Sequence, residues 1–148
     1  IIIKICRAYT HSQQDFEDYY QEVCLQIWRS REQFKQQCEW STWIYKISLN
    51  VCLTYLKKAK NNQENFVSDP LSNSEQAITP NENMDSINYL YWAIRQLSET
   101  DRALILLYLE ELPQKAIAEI TGSTATNVGV RVKRIKQKLN KIMNKEGE

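Results

Sequence analysis

Apolar residues recur at three- and four-residue steps through most of the chain, and one long stretch breaks the pattern. Ile2, Ile5, Cys6 and Tyr9 predict a helix over 1–9. Phe16, Tyr20, Val23 and Ile27, widened by Tyr19, Cys24 and Trp28, predict a second over 14–30, with Trp28 in the core and Ser12 and Asp15 as candidate caps. Ile44, Ile47, Val51 and Tyr55 are the expected inner stripe of a third helix over 41–60, capped by Ser41. Over 61–83 the periodicity gives way to Asn, Gln, Ser and Glu with Pro70 and Pro80. That composition suits a flexible linker, which could reach roughly 75 Å when extended. Periodicity returns with Met84, Ile87, Tyr91 and Ile94, a helix over 84–96. A capping box, Ser98-Glu-Thr-Asp101, opens the next helix, whose run Ala103 to Leu109 calls for burial most of the way round. Pro113 fits the first turn of a short helix over 114–121, and Gly122 its C-terminal stop. Val128, Val132, Ile135, Leu139 and Ile142 step by four and three along a last helix, from about Thr124 to 143. The expected fold is all-α: two small helical domains, 1–60 and 84–148, joined by the linker 61–83.

Composition removes several alternatives. Three glycines cannot build a Gly-rich phosphate loop, and few Gly and Pro disfavour a turn-rich β fold. Cys6, Cys24, Cys38 and Cys52 lack the short paired spacing of a zinc site, so no metal and no cofactor is expected. No nucleophile–base set stands at a recognisable spacing, which argues against an enzyme. Nothing in the sequence resembles a secretory signal or an apolar run long enough to span a membrane, so a cytoplasmic setting is expected. The first residue is Ile rather than Met, which suggests a natural start further upstream.

The net charge of +1 is a cancellation. Residues 11–34 carry −3, 35–60 carry +4, 61–85 carry −5 and 113–148 carry +5. Two basic blocks point to a polyanion at two places; solvated helix faces are the competing reading.

The pattern from Pro113 to Leu139 reads as a helix-turn-helix, with Thr121-Gly-Ser-Thr124 as the turn. No acid occurs from 120 to 145, while Arg131, Lys133, Arg134, Lys136, Lys138, Lys141 and Lys145 stand between the core positions. Thr124, Thr126 and Asn127 at the helix start suit phosphate, and the following side chains suit a major groove. In the first domain, Trp40 and Trp43 lie near Phe34, Lys35, Gln36, Gln37, Lys46 and Asn50, a mixture suited to unstacked bases. The acidic face around Asp18 and Glu22 repels DNA and suits a basic protein.

In combination these segments resemble bacterial sigma-70 factors of the extracytoplasmic-function (ECF) group. Asp18, Gln21 and Glu22 match its Asp-x-x-Gln-Glu polymerase-binding core. Phe34 and Ser41 to Asn50 are similar to its −10-reading segment. Leu97 to Arg102, Lys115 to Ile120, and Asn127 to Arg131 with Arg134 are similar to its −35-binding domain. The resemblance implies binding of core RNA polymerase and promoter DNA, and a regulating anti-sigma factor. It implies that Asp18, Gln21, Glu22 and Leu25 face polymerase. It places Phe34, Lys35, Gln36, Gln37, Ser41, Trp43, Lys46 and Asn50 on the −10 strand. It places Val130, Lys133 and Arg134 on −35 bases, and Thr126, Asn127 and Arg131 on the backbone, with Lys115, Thr124 and Lys138 in the same interface. Gly129 stands where the family often has a basic or polar residue, Ala116 where an acid is common, and Lys46 where Arg is usual. An autonomous helix-turn-helix regulator is the alternative function.

Overall fold

The computed structural model describes residues 1–65 and 85–145, with side chains over 1–62 and 85–144. Its elements are α1 (Ile2–Tyr9), α2 (Gln13–Ser30), a short 3₁₀ turn (Arg31–Gln33), α3 (Trp40–Asn65), α4 (Ser86–Arg95), α5 (Glu99–Leu109), α6 (Gln114–Thr121) and α7 (Ala125–Lys145). No strand occurs among the described residues.

Helix ends follow local chemistry. Ser12 Oγ accepts from the Asp15 N–H at 3.1 Å and Ser98 Oγ from the Asp101 N–H at 3.3 Å, each satisfying a donor the helix itself cannot pair. Gly122 ends α6 at φ 72°, a left-handed cap that a side chain would strain. The third helix departs from expectation at both ends. It starts at Trp40, with the Trp43 N–H bonded to the Glu39 carbonyl, so Ser41 lies inside it and is not its cap. It continues to Asn65, since Gln and Glu at 63–64 are good helix formers. The remainder of the expected linker lies outside the described residues.

The buried faces also differ in detail from the sequence pattern. In α2 the core takes Tyr19 and Val23, while Tyr20 is exposed. Trp28, expected in the core, is 64% exposed. At 100° per residue, Trp28 lies half a turn from Tyr19, so burying Tyr19 turns Trp28 outward. In α3 the buried positions are Thr42, Tyr45, Ser48, Leu49, Val51 and Cys52, because α1, α2 and α6 approach it from different sides; Ile44, Ile47 and Tyr55 are half-buried. In α5 burial runs from Asp101 to Leu107 and ends at exposed Tyr108 and Leu109.

The N-terminal helices α1–α3 and the C-terminal helices α4–α7 pack on each other, with α1 in the middle, touching α2 and α3 on one side and α4 and α5 on the other. Buried Arg102 on α5 donates to the Ala8 carbonyl at 3.3 Å, across the boundary, and to the Arg95 and Leu97 carbonyls at 3.1 and 3.3 Å. Arg95 Nε donates to the Arg7 carbonyl at 3.2 Å. Both guanidinium groups thus sit at the C-terminal end of α1, where carbonyls face outward and the dipole is negative. Glu110 accepts from the Tyr45 hydroxyl at 2.9 Å and pairs with Lys4 at 2.8 Å, joining α5's end to α3 and α1.

Candidate nucleic-acid interface

The helix-turn-helix is built by α6 and α7. Ile117 and Ala118 on α6 and Val128, Val132 and Ile135 on α7 are buried together. This fixes the outer face of α7. Thr124, Thr126, Asn127, Val130, Lys133 and Arg134 are exposed along it, with Lys115 exposed on α6. Val130 is 48% exposed, an apolar side chain of a size suited to a thymine methyl. Thr124 Oγ1 accepts from the Asn127 N–H at 3.2 Å, capping α7, and the Asn127 amide donates to Ser123 Oγ at 3.0 Å. Two of the expected cations have structural work. Arg131 pairs with Asp101 Oδ1 at 2.8 Å and Lys138 with Asp101 Oδ2 at 3.1 Å. The sequence suggested that Asp101 completes a capping box; instead its carboxylate reaches from α5 to α7. Lys115, Lys133, Arg134 and Lys141 are exposed and make no ion pair among the described residues, so they are the cations most available to a polyanion.

Asp101 and Glu110 carry opposed influences on their protonation. Burial raises the pKa of each, but Lys138 and Arg131 beside Asp101, and Lys4 and Tyr45 beside Glu110, outweigh it and leave both below the usual carboxylate range. A depressed folded pKa contributes stability that is complete above the unfolded value, near 4, and is lost as pH falls through the folded value. Urea unfolding midpoints are therefore expected to fall between pH 6 and pH 3, and to fall less in Asp101→Asn. An equal fall in that variant would remove Asp101 from the account.

The second patch lies on the 34–43 segment. Phe34 stands 4.0 Å from Trp40 and 5.2 Å from Trp43, centroid to centroid, and the two indoles are edge-on at 5.5 Å. Trp40 is 56% exposed, while Phe34, Ser41 and Trp43 are half-buried, so Trp40 is the ring most open to a base. Lys35, Gln36 and Gln37 are exposed beside it, and Gln36 holds φ 56°, a left-handed conformation uncommon for a side-chain-bearing residue. Asn50 is exposed two turns along α3. Lys46 lies between and pairs with Glu119 of α6 at 3.7 Å, so one residue expected at DNA is held by the other half of the molecule.

The third patch runs along α2. Asp18, Gln21, Leu25 and Trp28 step by three, four and three, forming one exposed stripe with Glu22 half-buried at its side. Gln14 Nε2 donates to Asp18 and Gln26 Nε2 to Glu22, both at 3.1 Å. Trp28 extends the stripe beyond the expected residues, with the Arg31 guanidinium 3.9 Å over its ring. Hydrophobic periodicity could not find it, because an outward Trp and a core Trp read alike in a sequence. No helix among the described residues is long and apolar enough to cross a membrane, and no group of possible metal ligands is found among them.

Comparison with known proteins bears on the same segments. Residues 1–62 match the family model for Sigma-70 region 2, and residues 87–139 that for Sigma-70 region 4. A 52-residue stretch is 38% identical to the ECF RNA polymerase sigma factor SigG of Mycobacterium tuberculosis, in two strains. It covers 35% of this chain and 14% of that protein. The fold is similar to that of the sigma factor RpoE in its co-crystal with the anti-sigma factor NepR from Bartonella quintana, at TM-score 0.74 and 20% identity over 97% of this chain and 89% of that one. It is also similar to CnrH in complex with the cytosolic domain of CnrY, at TM-score 0.63 and 15% identity over 97% and 80%.

Proposed function

The chain belongs to the sigma-70 family, in its ECF group, and we propose that it binds core RNA polymerase and directs it to promoters as an initiation factor with no catalytic activity of its own. The observation that carries this reading is the presence on one chain of an exposed acidic-apolar stripe on α2, an aromatic-cationic patch at the start of α3 and an exposed cationic face on α7. A lone DNA-binding regulator has no use for the first, and a protein-interaction module has none for the last. Asp18, Gln21, Glu22 and Leu25 face polymerase. Phe34, Lys35, Gln36, Gln37, Ser41, Trp43, Lys46 and Asn50 hold the −10 strand. The −35 element meets Val130, Lys133 and Arg134 at its bases, and Lys115, Thr124, Thr126 and Asn127 at its backbone. Arg131 and Lys138 support α7 through Asp101 as much as they attract phosphate. The setting is the cytoplasm, where the polymerase works. Because a protein of this fold, RpoE, is seen in complex with an anti-sigma factor, an anti-sigma factor is the proposed regulator.

The packed pose constrains how such a factor works. Elements centred at −10 and −35 lie about 85 Å apart at roughly 3.4 Å per base pair. Here α3 and α6 of the two readers pack side by side, with Lys46 and Glu119 3.7 Å apart. Reading both elements therefore requires the halves to part, with polymerase holding them at the promoter spacing. Run-off transcription with core polymerase is the test: failure of the chain either to bind core or to start transcripts ends the proposal. Within it, Arg134→Ala is expected to weaken −35 use by about 1–3 kcal/mol. Measured on promoters varied base by base, a loss concentrated at one position marks a base contact, and an even loss a phosphate contact.

A further inference from the structure

Gly129 lies inside α7, one residue past buried Val128, and it is not at a positive φ. Neither a turn nor a cap explains it, and glycine weakens a helix interior. What stands over it does. A Cβ built on Gly129 would meet the side chain of Gln114, with Nε2 at 3.1 Å, Oε1 at 3.2 Å and Cδ at 3.3 Å. The amide of Gln114, the first residue of α6, thus lies flat against the bare backbone of α7. Thr126 and Lys133 flank Gly129 at three residues before and four after, on the same helix face. Gln114 is exposed and makes no hydrogen bond among the described residues, so its donor and its acceptor are both available.

We propose that Gln114 is a specificity-determining residue, reading an adenine edge in the −35 major groove from the place a side chain at 129 would have filled. A glutamine amide offers one donor and one acceptor in the plane that matches adenine N7 and N6. The reading rests on the −35 role assigned to α7 above. Gly129 then removes a contact from one helix so that the neighbouring helix can supply another.

The test is selection of bound DNA by the full chain with core polymerase, from a duplex library randomised across the upstream element. Wild type is compared with Gln114→Ala, Gly129→Ala and Lys133→Ala. Wild type is expected to show one position with an adenine preference of about tenfold or more. Gln114→Ala is expected to flatten that position to within about twofold while the other positions keep their pattern. Gly129→Ala keeps the amide but makes it give by a few tenths of an ångström, and alanine favours the helix, so a weaker preference at that same position is expected with helical circular dichroism unchanged. A patterned wild-type profile that both variants retain, or an even loss of affinity in Gln114→Ala, overturns the role of Gln114 alone. An unpatterned wild-type profile, with Lys133→Ala without effect, overturns the −35 reading and this inference together.

Discussion

Lysine at both Asp18 and Glu22 is expected to abolish capture of core RNA polymerase, by at least about 100-fold in Kd, while the chain stays folded. Asp18 is exposed and Glu22 half-buried beside it, and neither belongs to the core formed by Tyr19 and Val23, so the chain is expected to stay folded. Each carboxylate is steadied from one turn away by a glutamine amide, Gln14 for Asp18 and Gln26 for Glu22, so the charge is presented at a fixed place. Reversing two such charges replaces attraction by like-charge contact against a basic partner, which costs several kcal/mol at an interface. The apolar part of the stripe supplies the second half of the argument. Leu25 is 40% exposed, and Trp28, more so, is held by Arg31 stacked on its ring. An exposed Trp among polar neighbours is the kind of residue that dominates interface energies, so Trp28→Ala should weaken capture by about 2 kcal/mol or more. Fluorescence anisotropy with labelled chain and purified core enzyme reads both variants. If the double lysine variant binds core as wild type does, the stripe is a solvated helix face and the polymerase contact lies elsewhere.

The contrast between Trp28 and Tyr19 shows which part of this molecule its sequence discloses. Apolar spacing locates α2 within a residue or two and states that it has a buried side. Two adjacent tyrosines and a tryptophan allow that side to be drawn in more than one way, and only the packing of α1 and α3 decides between them. Capping was legible where a hydroxyl meets a free N–H, as at Ser12 and Ser98, because that chemistry is local. It misled at Asp101, where two cations on a helix thirty residues away outcompete the nearby backbone. The exposed cations of α7 were legible from the alternation of charge and core positions. The role of Gly129 was not, since it depends on where α6 crosses α7. The contacts between the two halves were least visible of all: Arg95 and Arg102 read as ordinary helix charges until the carbonyls of α1 stand beside them.

Replacing Arg102 with alanine should have the largest effect on stability. Its guanidinium is buried and serves three carbonyls, those of Ala8 in the N-terminal half and of Arg95 and Leu97 in its own, and it lies 5.0 Å from the Tyr9 ring centroid. Alanine strands those acceptors in a space water enters poorly, and a loss of about 3 kcal/mol is expected from the hydrogen bonds to a charged group and the desolvated carbonyls left behind. Lysine should not rescue it, since a single ammonium cannot span the fork. Urea unfolding measures the loss, and small-angle scattering measures its second consequence: the radius of gyration, about 15 Å for a compact chain of this length, should rise as the halves part. A loss of unfolding free energy under about 1 kcal/mol would mean that water replaces the arginine. The contact is nevertheless worth less than its bond count. Burying a guanidinium carries a desolvation cost of several kcal/mol, and Arg102 Nε finds no partner among the described residues to offset its share. Under the proposed function, a junction assembled from such contacts is expected to hold the two halves together in isolation and to yield to a partner that binds each half by a few kcal/mol more when they are apart.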